Sequence, residues 1–174
     1  MKKTVFILLM AFAVCAGTFA QTAEEFLKSG TEHFNKKDYD KAIVDFSEAI
    51  KLNPRHAETY YYRGITYGEK KDYDKAIADF TEIIKLNPRS DGAYFYRGFA
   101  YGRKNDYDKA IADYTEAIKL APQFTDAYYR RGITYGEKKD YDKAIADFEA
   151  VLKINPNDAN AKKGIELVKA MRGY

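Results

Sequence analysis

"DYDKAIADFTEIIKLNP" occupies residues 72–88, and its first six letters stand also at 38–43, 106–111 and 140–145, 34 residues apart each time. The four prolines of the chain, Pro54, Pro88, Pro122 and Pro156, keep the same interval. A fixed period between 20 and 50 residues marks a protein built by stacking one small unit, so the period outranks any single-residue clue. Inside the quoted stretch Ala76, Phe80 and Ile83 recur at three and four, the period of an α-helix and not of a strand. Just upstream, Tyr60, Gly64 and Tyr67 form the stripe of another helix. Each unit is therefore a helix, a turn and a second helix.

The recurring phrase is a helix start. Asp72 is placed to cap the second helix, and Asp74 sits near the positive end of its dipole. At the far end the ring of Pro88 drives Asn87 out of helical geometry, which stops the helix. The other three prolines do the same. Gly30, Gly64, Gly98 and Gly132 on the first helices, with Ala42, Ala76, Ala110 and Ala144 on the second, mark a close crossing, since small residues let backbones approach toward about 8 Å.

With these residues in place the chain resembles the tetratricopeptide repeat family. Its third unit carries the family's order of aromatic and small residues as Tyr94, Gly98, Tyr101, Tyr107, Ala110, Tyr114, Ala117 and Pro122. His33 in place of an aromatic, and Ile83 and Val151 in place of small residues, depart from that order and predict locally looser packing. The resemblance spans residues 23–158 as units 23–56, 57–90, 91–124 and 125–158, and implies an all-α solenoid of helix-turn-helix repeats. A single 34-residue hairpin is too small to fold alone, so neighbours must share a core. Residues 159–174 read as a closing helix, with Ala161, Ile165, Val168 and Met171 on one side and Lys162, Glu166, Lys169 and Arg172 elsewhere.

Residues 1–20 are a different text. Lys2 and Lys3 precede an apolar run from Val5 to Val14 and the small residues Thr18 and Ala20, the order of a bacterial secretory signal peptide cut before Gln21. The run is shorter than the roughly 20 residues that span a bilayer, which favours cleavage over a membrane anchor. A lipoprotein reading through Cys15 is weakened by Val14, where that processing wants a small residue. The expected location is therefore periplasmic or secreted, with no membrane attachment after cleavage. Loss of Lys2 and Lys3 leaves 27 basic against 26 acidic residues, and the two signs alternate along the chain. Such a surface gives counterion release little to act on, so nucleic acid is not an expected partner.

Nothing in the chain spells catalysis, a cofactor site or a metal site. The carboxylate pairs such as Asp72 and Asp74 recur in all four units, as caps must and an active site does not. His33 and His56 have no metal-ligand spacing, and the only cysteine precedes the cut. Arg63, Arg97 and Arg131 each precede a crossing glycine, and Asp45, Asp79, Asp113 and Asp147 recur on the second helices. Ser29 takes the arginine's place in the first unit, as expected if each Arg reaches the Asp of the unit before it. The expected structural pairs are Asp45 with Arg63, Asp79 with Arg97 and Asp113 with Arg131.

A second stripe lies about 100° around the first helices. The family resemblance implies that it lines a concave, peptide-binding surface. Here it holds Leu27, Thr31 and Phe34, then Tyr61 and Ile65, then Phe95 and Phe99, then Tyr129 and Ile133, bordered by Tyr62, Tyr96 and Arg130. The family's clamp for a C-terminal carboxylate would need Lys, Asn, Asn, Lys and Arg. Its places are filled by Leu27, Thr31, Tyr62, Gly92 and Tyr96, or one unit on by Tyr61, Ile65, Tyr96, Asp126 and Arg130, so a chaperone-tail receptor is not expected. Two readings stay open. One is a scaffold that binds an apolar or aromatic segment of an unidentified protein or peptide. The other is a self-associating structural component of an envelope assembly, in which the stripe joins copies of the chain.

Overall fold

A computed structural model of the chain describes residues 22–173. The signal-peptide reading falls on residues 1–20, outside the described residues. The chain divides into two compact units, Met1–Pro54 and Arg55–Tyr174. In the first, helices α1 (Ala23–Asn35) and α2 (Tyr39–Leu52) pack on each other. In the second, α3 (Ala57–Glu69), α4 (Tyr73–Leu86), α5 (Asp91–Arg103), α6 (Tyr107–Leu120), α7 (Thr125–Glu137), α8 (Tyr141–Ile154) and α9 (Ala159–Arg172) pack in sequence order. The described residues contain no strand, and the fold is all-α, a solenoid of helix-turn-helix repeats.

Each boundary has a local cause. Thr22 and Glu25 form a capping box at α1, while Asp38, Asp72 and Asp140 accept from the backbone N–H three residues on, at 3.4 Å in each case. Asp106 makes no such backbone bond, although it accepts from Lys109 Nζ at 2.6 Å. Helix α4 ends at Leu86, and Asn87 before Pro88 is extended (φ −139°, ψ 93°). The turn inside each hairpin depends on one residue in the left-handed region: Lys37, Lys71, Asn105 and Lys139 have φ of 60° or 61°. Lys37, Lys71 and Lys139 thus carry backbone strain, because only glycine and, to a lesser degree, asparagine adopt that region cheaply.

The capping carboxylates also set an acid limit. The Lys75 ammonium bonded to Asp72 holds that carboxyl below its ordinary value, and Lys41, Lys109 and Lys143 do the same to Asp38, Asp106 and Asp140. A group whose pKa is depressed on folding contributes stability above its unfolded value near 3.8, which is lost as pH falls through the folded value. Helicity in low salt is therefore expected to hold from pH 7 to about 4 and to fall below it. A variant with all four residues changed to Asn should show a shallower acid limb by circular dichroism. An unaltered limb would remove these carboxylates from the account.

Packing inside the hairpins centres on one aromatic per repeat, Phe46, Phe80, Tyr114 and Phe148, all buried against the crossing glycines. A Cβ added at Gly30 would lie 2.6 Å from the Phe46 ring, so any side chain there forces the hairpin open. Successive repeats are tied on the surface by Lys104 to Asp74, Lys138 to Asp108 and Arg172 to Asp142. Exposed pairs of this kind are worth about 0–1 kcal/mol each. Helix α9 occupies the place of a further first helix: Ala161 is buried as Ala127 is, and Arg172 repeats the bridge of Lys138. Ala161 and Val168 face α8, whereas Met171, expected on that side, is exposed.

Candidate functional site in the second unit

The charge pairs differ in register from the sequence expectation. Arg63 donates to Asp79 at 2.9 and 2.7 Å, Arg97 to Asp113 at 2.8 and 2.8 Å, and Arg131 to Asp147 at 2.8 and 2.8 Å. Each fork closes within one hairpin, 16 residues on, so that Asp79 and Asp113, the expected partners of Arg97 and Arg131, are held by Arg63 and Arg97. The cause is the crossing itself: an Arg beside the crossing glycine points along its own partner helix. In the first unit Ser29 donates to Asp45 at 2.7 Å, with His33 Nδ1 also 2.8 Å from that carboxylate. Asp45 therefore has neutral or weakly basic partners where the later repeats have a guanidinium. The reach to the preceding repeat goes to threonine, from Arg97 to Thr81 at 3.2 Å and from Arg131 to Thr115 at 2.8 Å. Burial pushes the Asp79 carboxyl up against the pull of Arg63, so the pair returns little beyond its own desolvation.

The aromatic stripe is not one open wall. In the first unit Leu27 and Thr31 are half-buried, and Thr31 donates to the Leu27 carbonyl at 2.8 Å. In the second unit Phe95 is 9% exposed and packs on Tyr114 and Phe124. It is a core residue, a correction to its place in the groove. Its helix is covered on both sides by rings, which period alone cannot reveal. Tyr96 stacks on Phe80 with centroids 5.6 Å apart, and Tyr61 meets Tyr96 edge-on at 5.4 Å. Burial and the neighbouring Tyr96 push the Tyr61 phenol up. Tyr62 lies edge-on to Tyr61, Ile65 is half-buried, and Tyr129 packs on Phe148 at 5.5 Å. Most of the stripe in the second unit is thus engaged with itself or with the core rings Phe80, Tyr114 and Phe148.

One repeat later the stripe opens. A cleft of about 390 Å³ lies between α5, the start of α6 and α7, with Phe99, Tyr114, Arg130 and Ile133 among its lining residues. Arg103 and Glu137 stand at it as well, so its chemistry is mixed and not simply apolar. The sequence explains the opening. Tyr96 covers Phe80 at the preceding junction, whereas the residues 34 further on are Arg130 and Tyr114. The Arg130 guanidinium lies over Phe99 at 5.0 Å, and among the described residues no ring of α7 lies on Tyr114. Tyr114 is 2% exposed yet lines the cleft, and burial pushes its phenol up while the nearby Arg130 pulls it down. Its hydroxyl lies 3.8 Å from the Cβ position of Gly102, where a side chain has room. Among the described residues no group of His, Cys, Asp and Glu is placed to hold a metal, and no helix is long and apolar enough to cross a membrane.

A stack of helix hairpins whose exposed first helices offer a cleft is the architecture of an interaction scaffold. The tetratricopeptide repeat pattern matches residues 57–90, 92–124 and 125–158, and a second TPR repeat pattern matches 30–71; the chain belongs to the tetratricopeptide repeat family. Among solved structures it is similar to a crystal structure of MamA protein, at 28% identity over 87% of this chain and 82% of that one (TM-score 0.82). A second MamA crystal structure is 30% identical over 83% of this chain and 84% of that one (TM-score 0.79). The first TPR of Spaghetti (RPAP3), bound to the HSP90 peptide SRMEEVD, is 26% identical over 68% of this chain and 94% of that one (TM-score 0.65). No curated protein matches the chain in sequence.

Proposed function

We propose that this protein is a non-enzymatic interaction scaffold of the bacterial cell envelope, exported by its N-terminal segment, which holds a peptide segment of a partner protein at the α5–α7 cleft. The observation that carries the reading is that opening, where Phe99, Arg130 and Ile133 from the expected stripe line about 390 Å³ of space. A neighbour of the same fold bound to a peptide supports the use of such a surface. The export signal rests on the order of residues 1–20 alone.

Filling the cleft tests it. A Cβ at Gly102 would meet nothing closer than 3.8 Å, so Gly102→Leu adds bulk in open space and improves helix propensity by roughly 0.5–1 kcal/mol. The variant should fold at least as stably as the natural chain. Cross-linking in envelope extract should give a partner adduct that the natural chain forms and Gly102→Leu loses. An adduct formed equally by both places the interaction elsewhere on the molecule.

A further inference from the structure

Three observations at the cleft specify its ligand further, on the footing that it binds a peptide segment. First, its arginines lack acidic partners. Among the described residues neither Arg130 nor Arg103 pairs with a carboxylate; Arg130 lies over Phe99, and Arg103 donates to the Tyr73 hydroxyl at 3.0 Å. Glu137 at the rim forms no ion pair among the described residues, and the charged lining holds two cations to one anion. Second, the Tyr114 hydroxyl has no hydrogen-bond partner among the described residues, and since none of their buried side-chain nitrogens or oxygens lacks one, this oxygen keeps its access to solvent in the cleft that Tyr114 lines. The other repeats carry Phe46, Phe80 and Phe148 at this place, so the hydroxyl is not needed for packing. The hydroxyl stands open at the one junction where the covering tyrosine has become arginine, able to donate to an acceptor that enters the cleft.

Third, the cleft continues into an apolar shoulder. The large apolar residues of the second unit that are exposed are Ile133 (37%), Leu167 (60%) and Met171 (55%). Leu167 and Met171 stand 34 residues after Ile133 and Glu137, which line the cleft, and α9 packs in the position of a first helix. The shoulder therefore lies on the same side as the cleft, one helix further on. Helices in contact are about 8–10 Å apart, which an extended segment crosses in about three residues.

We propose that the α5–α7 cleft receives a carboxylate side chain of the bound segment between Arg130 and the Tyr114 hydroxyl, with an apolar residue of the same segment, about three positions away, resting on Leu167 and Met171. Arg103 adds charge at the rim, and Glu137 disfavours a second acid there. The site recognises a side chain within a segment and not a chain end, since the terminal-carboxylate clamp residues are missing.

The test is a selection from a library of randomised heptapeptides, displayed with linkers on both sides so that no chain end is offered, against the purified chain. The expected result is enrichment of Asp or Glu three positions from Leu, Ile, Met or Phe, in either direction. A synthetic peptide of the selected sequence should bind roughly tenfold more weakly to Arg130→Tyr, which restores the cover seen at Tyr96. Tyr114→Phe should weaken it about three- to tenfold with an unaltered melting temperature, because phenylalanine already serves at this place in three repeats. Leu167→Lys should relax the apolar position only. Enrichment of apolar residues without an acid overturns this inference and leaves the scaffold reading intact, whereas no enrichment at all overturns both. A dimer in sedimentation that Leu167→Lys dissolves would assign the shoulder to a second copy and overturn the proposal.

Discussion

Phe148→Ala is expected to destabilise the second unit by about 3–5 kcal/mol, a fifth or more of the roughly 5–15 kcal/mol typical of a domain. The ring is 2% exposed and is clasped by two backbones. A Cβ added at Gly132 on α7 would lie 3.0 Å from one edge, and a Cβ at Gly164 on α9 would lie 3.0 Å from the other. Tyr129 packs on it at 5.5 Å. One side chain therefore joins α7, α8 and α9. Truncation leaves a cavity whose walls are helix backbone, held apart by Ala144, Val151 and Ala161 and unable to close over it. Phe148→Leu keeps most of the volume and should cost roughly 1–2 kcal/mol. Urea unfolding followed by circular dichroism measures both, and hydrogen exchange should show α9 opening first in the alanine variant. A loss below about 1 kcal/mol would mean that α7 and α9 collapse onto the vacated space and that the ring is not the joint.

The same ring shows why the fold could be read from sequence and the site could not. The 34-residue period, the crossing glycines and the helix stops at Pro88 and its counterparts each impose a local geometry that any neighbour must accept. Helix type and order therefore follow from local text. The salt-bridge register does not, because an Arg beside Gly98 has an Asp within reach in either direction along the chain. Only the crossing angle decides for Asp113. The aromatic stripe fails for a related reason. Phe95 has the same phase as Tyr61 and Tyr129, and its burial depends on Phe124, a residue outside the helical period. The useful signal at the cleft lay in the exceptions. Tyr114 among Phe46, Phe80 and Phe148, and Arg130 after Tyr62 and Tyr96, break the repeat at two places that the fold brings together. Repetition reports what every unit needs, so a singular site is found where repetition lapses.

Asp113→Ala is expected to cost about 3–5 kcal/mol, whereas replacing Asp113 and Arg97 together by Leu and Met should cost far less. In the native chain Asp113 accepts both arms of the Arg97 fork at 2.8 Å, and only Thr81, at 3.2 Å, remains to Arg97 once the carboxylate is gone. The side chains are 18% and 8% exposed, so the abandoned guanidinium cannot regain full hydration without opening the α5–α6 crossing. A guanidinium keeps its proton in a protein even without a carboxylate beside it, so loss of the proton offers no escape once Asp113 is gone. The double replacement removes both charges and both desolvation costs, leaving a crossing filled by apolar volume. Unfolding of the two single variants, the double variant and the natural chain in urea closes a thermodynamic cycle. If Asp113→Ala costs under about 1 kcal/mol, water reaches the fork and the burial argument fails. The double variant then separates stability from register. The fork fixes how far α5 slides along α6, and through Thr81 it ties that position to α4. An apolar crossing has no such directional bond. Near-native stability with exchange-broadened amide signals along α5 is the expected outcome, because the charges that contribute little free energy are the ones that hold each hairpin to a single offset.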